Sequence, residues 1–411
     1  MTLRRLPSTT WAPMSGSMIL LLTLMLSVLS VPALARNRTG NKSAYALLHK
    51  FTGGEDGGNP AASLILDRDG NLYGTASSGG AFNWGVVFKF DSSGKETVLH
   101  SFAGGDGLWP EGPLVIDRAG NLYGTTWDGG TPEGGGCYFG CGTVFKIDTA
   151  GKYSVMYAFT GGADGGNPAS SLVLDRADNL YGTTTYGGSG HCFEGCGVVF
   201  KVDKRGKETV LYNFGASGGL VRDKDGSLYG ATESGGTAGY GTVFKLDSTG
   251  AETVLYNFTG GTDGGWPIGT LVRDQAGNLY GATTIGGDLF SCEVGEDKGC
   301  GVVFKVDSSG NETVLYDFSQ LQQGTPGGLL RDQAGNLYGV AGNFGRFGIL
   351  FKLSPNGKLH VLHNFQPRSG DVPEAGVITD SAGNLYGTTQ SGGMSACSRN
   401  LGCGVVYKWT P

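Results

Sequence analysis

Apolar and polar residues alternate with a period of two in short runs along most of this chain, and beyond about residue 40 none of these runs widens into the spacing of an amphipathic helix. Clusters of Gly, Asp, Asn and Ser, the residues that turn a chain sharply, bound the runs. This pattern predicts an all-β fold of short strands. Residues 270–274, 278–283, 301–307 and 312–318 give one example of four successive strands, which we designate A to D. The A–B and C–D connections are short and carry Gly where a tight hairpin needs a positive φ, so these pairs are expected to be antiparallel. The B–C and D–A connections are long.

The four-strand unit repeats. Leu-Tyr-Gly recurs with its tyrosine at Tyr73, Tyr123, Tyr181, Tyr229, Tyr280, Tyr338 and Tyr386, at spacings of 50, 58, 48, 51, 58 and 48 residues. Four antiparallel strands repeating at this length are the signature of propeller blades. The first strand, 45–51, has the pattern of a D strand, whereas the last repeat stops after its C strand at 405–409. The expectation is a seven-bladed β-propeller with four antiparallel strands per blade, its N-terminal strand completing the last blade. An open solenoid would not need such complementary ends.

The segments Gly-Asn-Leu-Tyr-Gly-Thr-Thr, Gly-Val-Val-Phe-Lys and Glu-Thr-Val-Leu-Tyr-x-Phe resemble the GloVer repeats of the choice-of-anchor tandem repeat family, over nearly all of residues 45–409. The resemblance implies an exported bacterial protein and brings no catalytic residues with it. The copies themselves separate scaffold from decoration. Asp67, Asp117, Asp175, Asp223, Asp274, Asp332 and Asp380 all open A–B turns, where a carboxylate accepts backbone N–H groups. The recurring tyrosines and the phenylalanines of Val-Phe-Lys are expected to pack between blades.

Composition fits this picture, with Gly at 77 of 411 residues and only 16% charged. Residues 1–35 read as a secretory signal: Arg4 and Arg5, an apolar run over 18–30, then Ala33-Leu34-Ala35. A short linker, 36–43, and the propeller, 44–411, follow. The apolar run is too short for a span of roughly 20 residues and no second one follows, so no membrane span is expected in the mature chain. Loss of Arg4 and Arg5 leaves 28 basic against 36 acidic residues, a formal charge of −8 that argues against nucleic acid as a partner. The expected product is a secreted or periplasmic monomer.

All eight cysteines fall in B–C loops as local pairs: Cys137 with Cys141, Cys192 with Cys196, Cys292 with Cys300, and Cys397 with Cys403. Even count, close pairing and export predict disulfides rather than metal thiolates. Loops this small should be stiffened individually more than they tie the ring together.

The long connections share one face, and decoration concentrates there. Trp109, Trp127 and Trp266 lie in these loops, and indoles beside Asp, Asn and Gly suit the apolar faces of sugar rings. The positions before the Gly-Gly after strand B vary between constant flanks and give Trp127, Asp128, Tyr186 and Glu233 as further ligand-binding candidates. The reading is a binding or scaffold module for extracellular glycan or a partner protein. The alternative is a carbohydrate-active enzyme of hydrolase or lyase type, with Asp128 and Glu233 facing each other across the channel. His49, His100 and His363 stand at the tyrosine position of D strands, as packing residues. Catalytic residues are not identified. No phosphate loop, EF-hand loop or Ser-His-Asp set is present, so neither cofactor nor metal is expected.

Overall fold

The structure is a computed structural model that describes residues 44–130, 137–189, 197–213, 218–288, 293–294, 297–321, 326–343, 346–393, 397 and 402–411. The expected signal, the linker, Cys192, Cys196 and Cys292 lie outside them.

Seven four-stranded antiparallel sheets form the blades. The first contains Ile65–Leu66, Leu72–Ala76, Val86–Phe90 and Glu96–Ser101, and the second Val115–Ile116, Leu122–Thr126, Thr143–Ile147 and Tyr153–Ala158. In the seventh, Ala44–Lys50 pairs antiparallel with Val405–Thr410 outside Leu385–Thr389 and Ile378–Thr379. The N-terminal strand therefore closes the ring, as the unequal ends of the sequence require. In five blades the A strand shrinks to two residues, whereas in blade five it extends over Gly265–Arg273, longer than its polar-apolar pattern suggested.

Among the described residues there is no single central core. Apolar side chains form clusters between neighbouring blades; Phe51 and Val406, for instance, pack with Leu64, Val86 and Phe88 across the closing junction. Phe88, Phe145, Phe200, Phe244 and Phe304 are fully buried, each contributing roughly 1.5–3 kcal/mol relative to an exposed ring. The glycine of Leu-Tyr-Gly makes room for them. Gly124 faces Phe145 across the B–C pair, and a Cβ there would meet the ring at 2.5 Å.

The A–B aspartates are turn scaffolds, as expected. Asp117 accepts the N–H groups of Ala119 and Asn121 at 2.9 Å on one oxygen, and Asn121 Nδ2 at 2.7 Å and the Tyr123 hydroxyl at 3.0 Å on the other. Burial alone would raise its carboxyl, but these donors outweigh burial and hold it below the usual range. The tyrosines thus do more than pack: each hydroxyl ties strand B to its own turn. The C-strand lysine covers six of the rings and, at three junctions, an arginine of the next blade covers the ring, as with Lys201 and Arg222 over Tyr181.

Every C–D pair carries a β-bulge. Phe88 opposes Val98 while Val87 opposes His100, leaving Leu99 as the extra residue, and Leu48 is its counterpart in the closing strand. The bulge re-aims the aromatic residue that follows it.

Candidate functional site

The D–A segments of all seven blades converge on a cavity of about 390 Å³ at the channel mouth. Blades three to five pinch it: Gly218 leaves no room for a Cβ against the Gly269 carbonyl, and the Ser171 and Thr270 hydroxyls meet at 2.8 Å across blade four. Glu111 of blade two and Glu374 of blade seven line the same mouth. Both reach channel water, yet the surrounding ring withdraws enough solvent to raise both carboxyls; Glu111 is raised further by Asp128 and Glu374. Larger cavities, about 620 and 560 Å³, open on the opposite face. Their walls are the short A–B and C–D turns, whose repeated aspartates are committed to their own turns, whereas the aromatic decoration lies on the loop face, where we place the candidate site.

Five D–A loops share one backbone device. Asn59, Trp109, Asn167, Trp266 and Val372 each precede a proline with φ between 54° and 57°. This residue clamps two blades, save that the Val372 N–H turns back onto Asp371: the Trp109 N–H donates to the Trp84 carbonyl of blade one at 3.0 Å, and its own carbonyl accepts the Trp127 N–H of blade two at 2.9 Å. Asn suits the left-handed region, and its amide strengthens the clamp. Asn167 Nδ2 donates to the Trp127 carbonyl at 3.1 Å and to Asp128 at 2.6 Å, while Asn59 Nδ2 donates to the Gln390 carbonyl at 3.1 Å. An indole cannot replace these bonds, and a bulky side chain at positive φ is strained. Trp109 and Trp266 therefore weaken the scaffold locally.

Trp109 stands among other rings. Trp84 and Phe139 lie 6.1 and 6.2 Å from it, and Phe139 is 6.2 Å from Trp84. The disulfide between Cys137 and Cys141 brackets Tyr138 and Phe139, which leaves Tyr138 92% exposed and Phe139 47% exposed. On the blade-three side, Trp127 meets Tyr186 edge-on at 6.2 Å. Trp109, Trp127 and Tyr186 thus fall on one sector of the loop rim, over blades one to three.

The remaining candidates fare differently. Asp128 is buried, its carboxyl raised by burial and partly restored by the Asn167 amide, through which it links blades two and three. Glu233 is exposed on blade four, and Trp266 donates its N–H to the Tyr240 carbonyl between blades four and five. Among the described residues, neither shares a ring contact or hydrogen bond with the aromatic sector. Asp128 and Glu233, envisaged as an acidic pair, are not among the residues lining the channel-mouth cavity, whereas Glu111 and Glu374 are. Sequence reasoning missed these two because nothing in their spacing distinguishes them from solvated loop carboxylates. Phe139 and Tyr138 were missed as well, although their place inside the Cys137–Cys141 loop is a signal that could have found them.

Disulfides join Cys137 to Cys141 and Cys397 to Cys403, and Cys300 is also disulfide-bonded. Their anchoring goes beyond loop stiffening. Cys141, Cys300 and Cys403 are buried in the cores between blades, and the Cys141 and Cys403 carbonyls accept the clamp N–H groups of Asn167 and Asn59 at 2.7 Å. His100 and His363 pack as expected, stacked at 3.7 Å on Tyr153 and Tyr45. No helix among the described residues is long and apolar enough to cross a membrane.

The chain matches the Gloeobacter/Verrucomicrobia repeat over residues 36–191, 133–291 and 194–400. No curated protein matches it in sequence. Among solved structures, the extracellular domain of a hybrid two component system from B. thetaiotaomicron aligns at a TM-score of 0.54 and 12% identity, over 90% of this chain and 41% of that one. This chain thus spans well under half the length of that protein. A gluconolactonase from Xanthomonas campestris aligns at 0.43 and 14% identity, over 74% of this chain and 88% of that one. TolB from Acinetobacter baumannii aligns at 0.40 and 12%, over 67% and 58%. At these identities the likeness is one of fold alone.

Proposed function

This chain belongs to the Gloeobacter/Verrucomicrobia repeat family, and from that premise we propose that it is exported and binds a glycan on the loop rim of blades one to three. The observation that carries the reading is Trp109: an indole at a left-handed backbone position, beside Trp84 and Phe139, where other blades carry a clamping Asn. Backbone strain that weakens a scaffold persists where function requires the side chain. The rings around it offer flat apolar faces for sugars, and the disulfide pre-organises Tyr138 and Phe139 at little entropic cost on binding. The leading residues 1–35, the disulfides and the fold shared with an extracellular domain support export. A glycan array probed with the wild type and with Tyr138→Ala tests this. The expected result is binding that weakens about fivefold in the variant, the loss of roughly 1 kcal/mol of stacking. Equal binding by both, or no glycan bound, contradicts it.

The acidic pair supports a second reading. Glu111 and Glu374, both raised and both at the channel mouth, have the character of a proton donor and its partner in glycoside cleavage. Turnover of a bound glycan that disappears in Glu111→Gln, with binding retained, is the expected signature. Binding without turnover in the wild type leaves the module reading alone.

A further inference from the structure

Five of the seven blade junctions present the same three positions: the D-strand aromatic after the bulge, the Asp of the following D–A loop, and a Glu or Tyr that opens the next D strand. Between blades two and three these are Tyr157, Asp164 and Glu208, and between four and five Tyr256, Asp263 and Glu312; in both the tyrosine hydroxyl donates to the aspartate, at 2.9 and 3.0 Å. At two further junctions a histidine takes the aromatic position, and there a tyrosine replaces the glutamate and stacks on it, Tyr153 on His100 and Tyr45 on His363. The ring-closing junction departs from this rule. There His49 meets Asp56 and Glu96, and no ring covers the imidazole in place of the glutamate.

His49 Nε2 lies 3.2 Å from Asp56 Oδ2 and 3.4 Å from Glu96 Oε2, and one donor atom of each residue falls within 4.8 Å of the other two. A tetrahedral zinc ion with nitrogen and oxygen donors at about 2.0–2.2 Å needs neighbouring donors about 3.3–3.6 Å apart. The side chains are only 21%, 16% and 15% exposed. Among the described residues, the ion pairs of the two carboxylates are with His49 alone; Glu96 Oε1 is buried without a hydrogen-bond partner, as are the Oε1 atoms of Glu208 and Glu312, so the imidazole is what sets this junction apart. The Thr52 N–H at 2.8 Å and the Thr52 hydroxyl hold Asp56 in place, as outer hydrogen bonds orient metal-binding carboxylates. One imidazole and two carboxylates without a thiolate suit a zinc-like divalent transition ion, whereas calcium asks for six or more oxygens.

We propose that His49, Asp56 and Glu96 form a divalent-cation site that staples the N-terminal closing strand to blade one. The ion would bridge His49 of the seventh blade and Glu96 of the first through the loop between them. This leaves the loop rim of blades one to three unchanged, so it stands or falls independently of glycan binding.

Zinc is the probe. The chain from Arg36 onward, with disulfides formed and stripped by chelator, is titrated with zinc by calorimetry and by dialysis with metal analysis. His49→Tyr reproduces the residue found at Tyr157 and Tyr256, and so keeps a side chain the fold already accepts; Glu96→Gln is the second variant. The expected result is one tightly held zinc per chain with a raised melting temperature in the wild type, and at least tenfold weaker binding with no melting shift in both variants. Zinc binding that is unchanged in either folded variant, or a wild type that holds no stoichiometric zinc, overturns the proposal.

Discussion

The two rims of the ring are built from the same strands but repeat different things. On the short-turn rim every blade presents an Asp with its Tyr, and a pattern of hydrogen bonds like that of Asp117 recurs with little change. On the loop rim the backbone clamp recurs, but the side chain on it changes from Asn to Trp to Val. Where all copies agree, the chemistry is internal, satisfied and concerned with stability. Where a copy departs at a cost to its own blade, as at Trp109, repetition does not explain the side chain, and the proposed glycan site rests on that departure.

Changes to the repeated scaffold should unfold the ring without a specific effect on ligand, in order of decreasing size. Phe145→Ala empties a fully buried position and should cost about 3–5 kcal/mol in denaturant unfolding; a loss under about 1 kcal/mol would mean that the blade cores collapse to fill the gap. Asp117→Ala removes four hydrogen bonds from one turn and should cost about 1–3 kcal/mol near neutral pH. Because the folded-state carboxyl of Asp117 is depressed, its contribution is present above the unfolded value of about 4 and fades as pH falls through the lower folded value. Wild type and variant should therefore converge in acid. A difference that persists at low pH would assign the effect to packing instead.

A smaller effect runs the other way at the junctions. Burial, with Asp164 and Asp263 nearby, pushes Glu208 and Glu312 up to about 7. A folded carboxyl above its unfolded value favours the protonated native state, so its stabilisation is complete below about 4.5 and is lost as pH rises through about 7. Glu208→Gln combined with Glu312→Gln should flatten the stability profile across that window. An unchanged slope would show that these carboxyls stay solvated.

The fold was legible because its signals are redundant. Seven Leu-Tyr-Gly triplets, each with Gly opposite a Phe or, in the last blade, Tyr407, and a D strand at one end against a missing D at the other leave little choice of architecture. The site was legible only in part. Trp109 stood out as a tryptophan in a long loop, and Trp127 and Tyr186 as ring side chains between constant flanks; the structure gathers them on one sector. Asp128 shared that signal, yet its carboxylate is turned inward onto Asn167, a contact between loops 39 positions apart that no local pattern encodes. Glu111 and Glu374 line one channel mouth because blades two and seven both adjoin blade one, which depends on ring closure and not on spacing. The strain at Trp109 was invisible for a similar reason: the five clamp positions have different side chains and share only a following proline and a backbone angle.

Trp109→Asn tests the central claim most directly, because it restores the residue that Asn59 and Asn167 show to be the better clamp. Relief of strain and regained side-chain bonds should stabilise the chain by about 0.5–1 kcal/mol, while affinity for the glycan identified on the array falls at least tenfold. Greater stability together with lost binding is the expected result. A variant that binds as well as the wild type would contradict the claim that this indole is held in strain for a ligand.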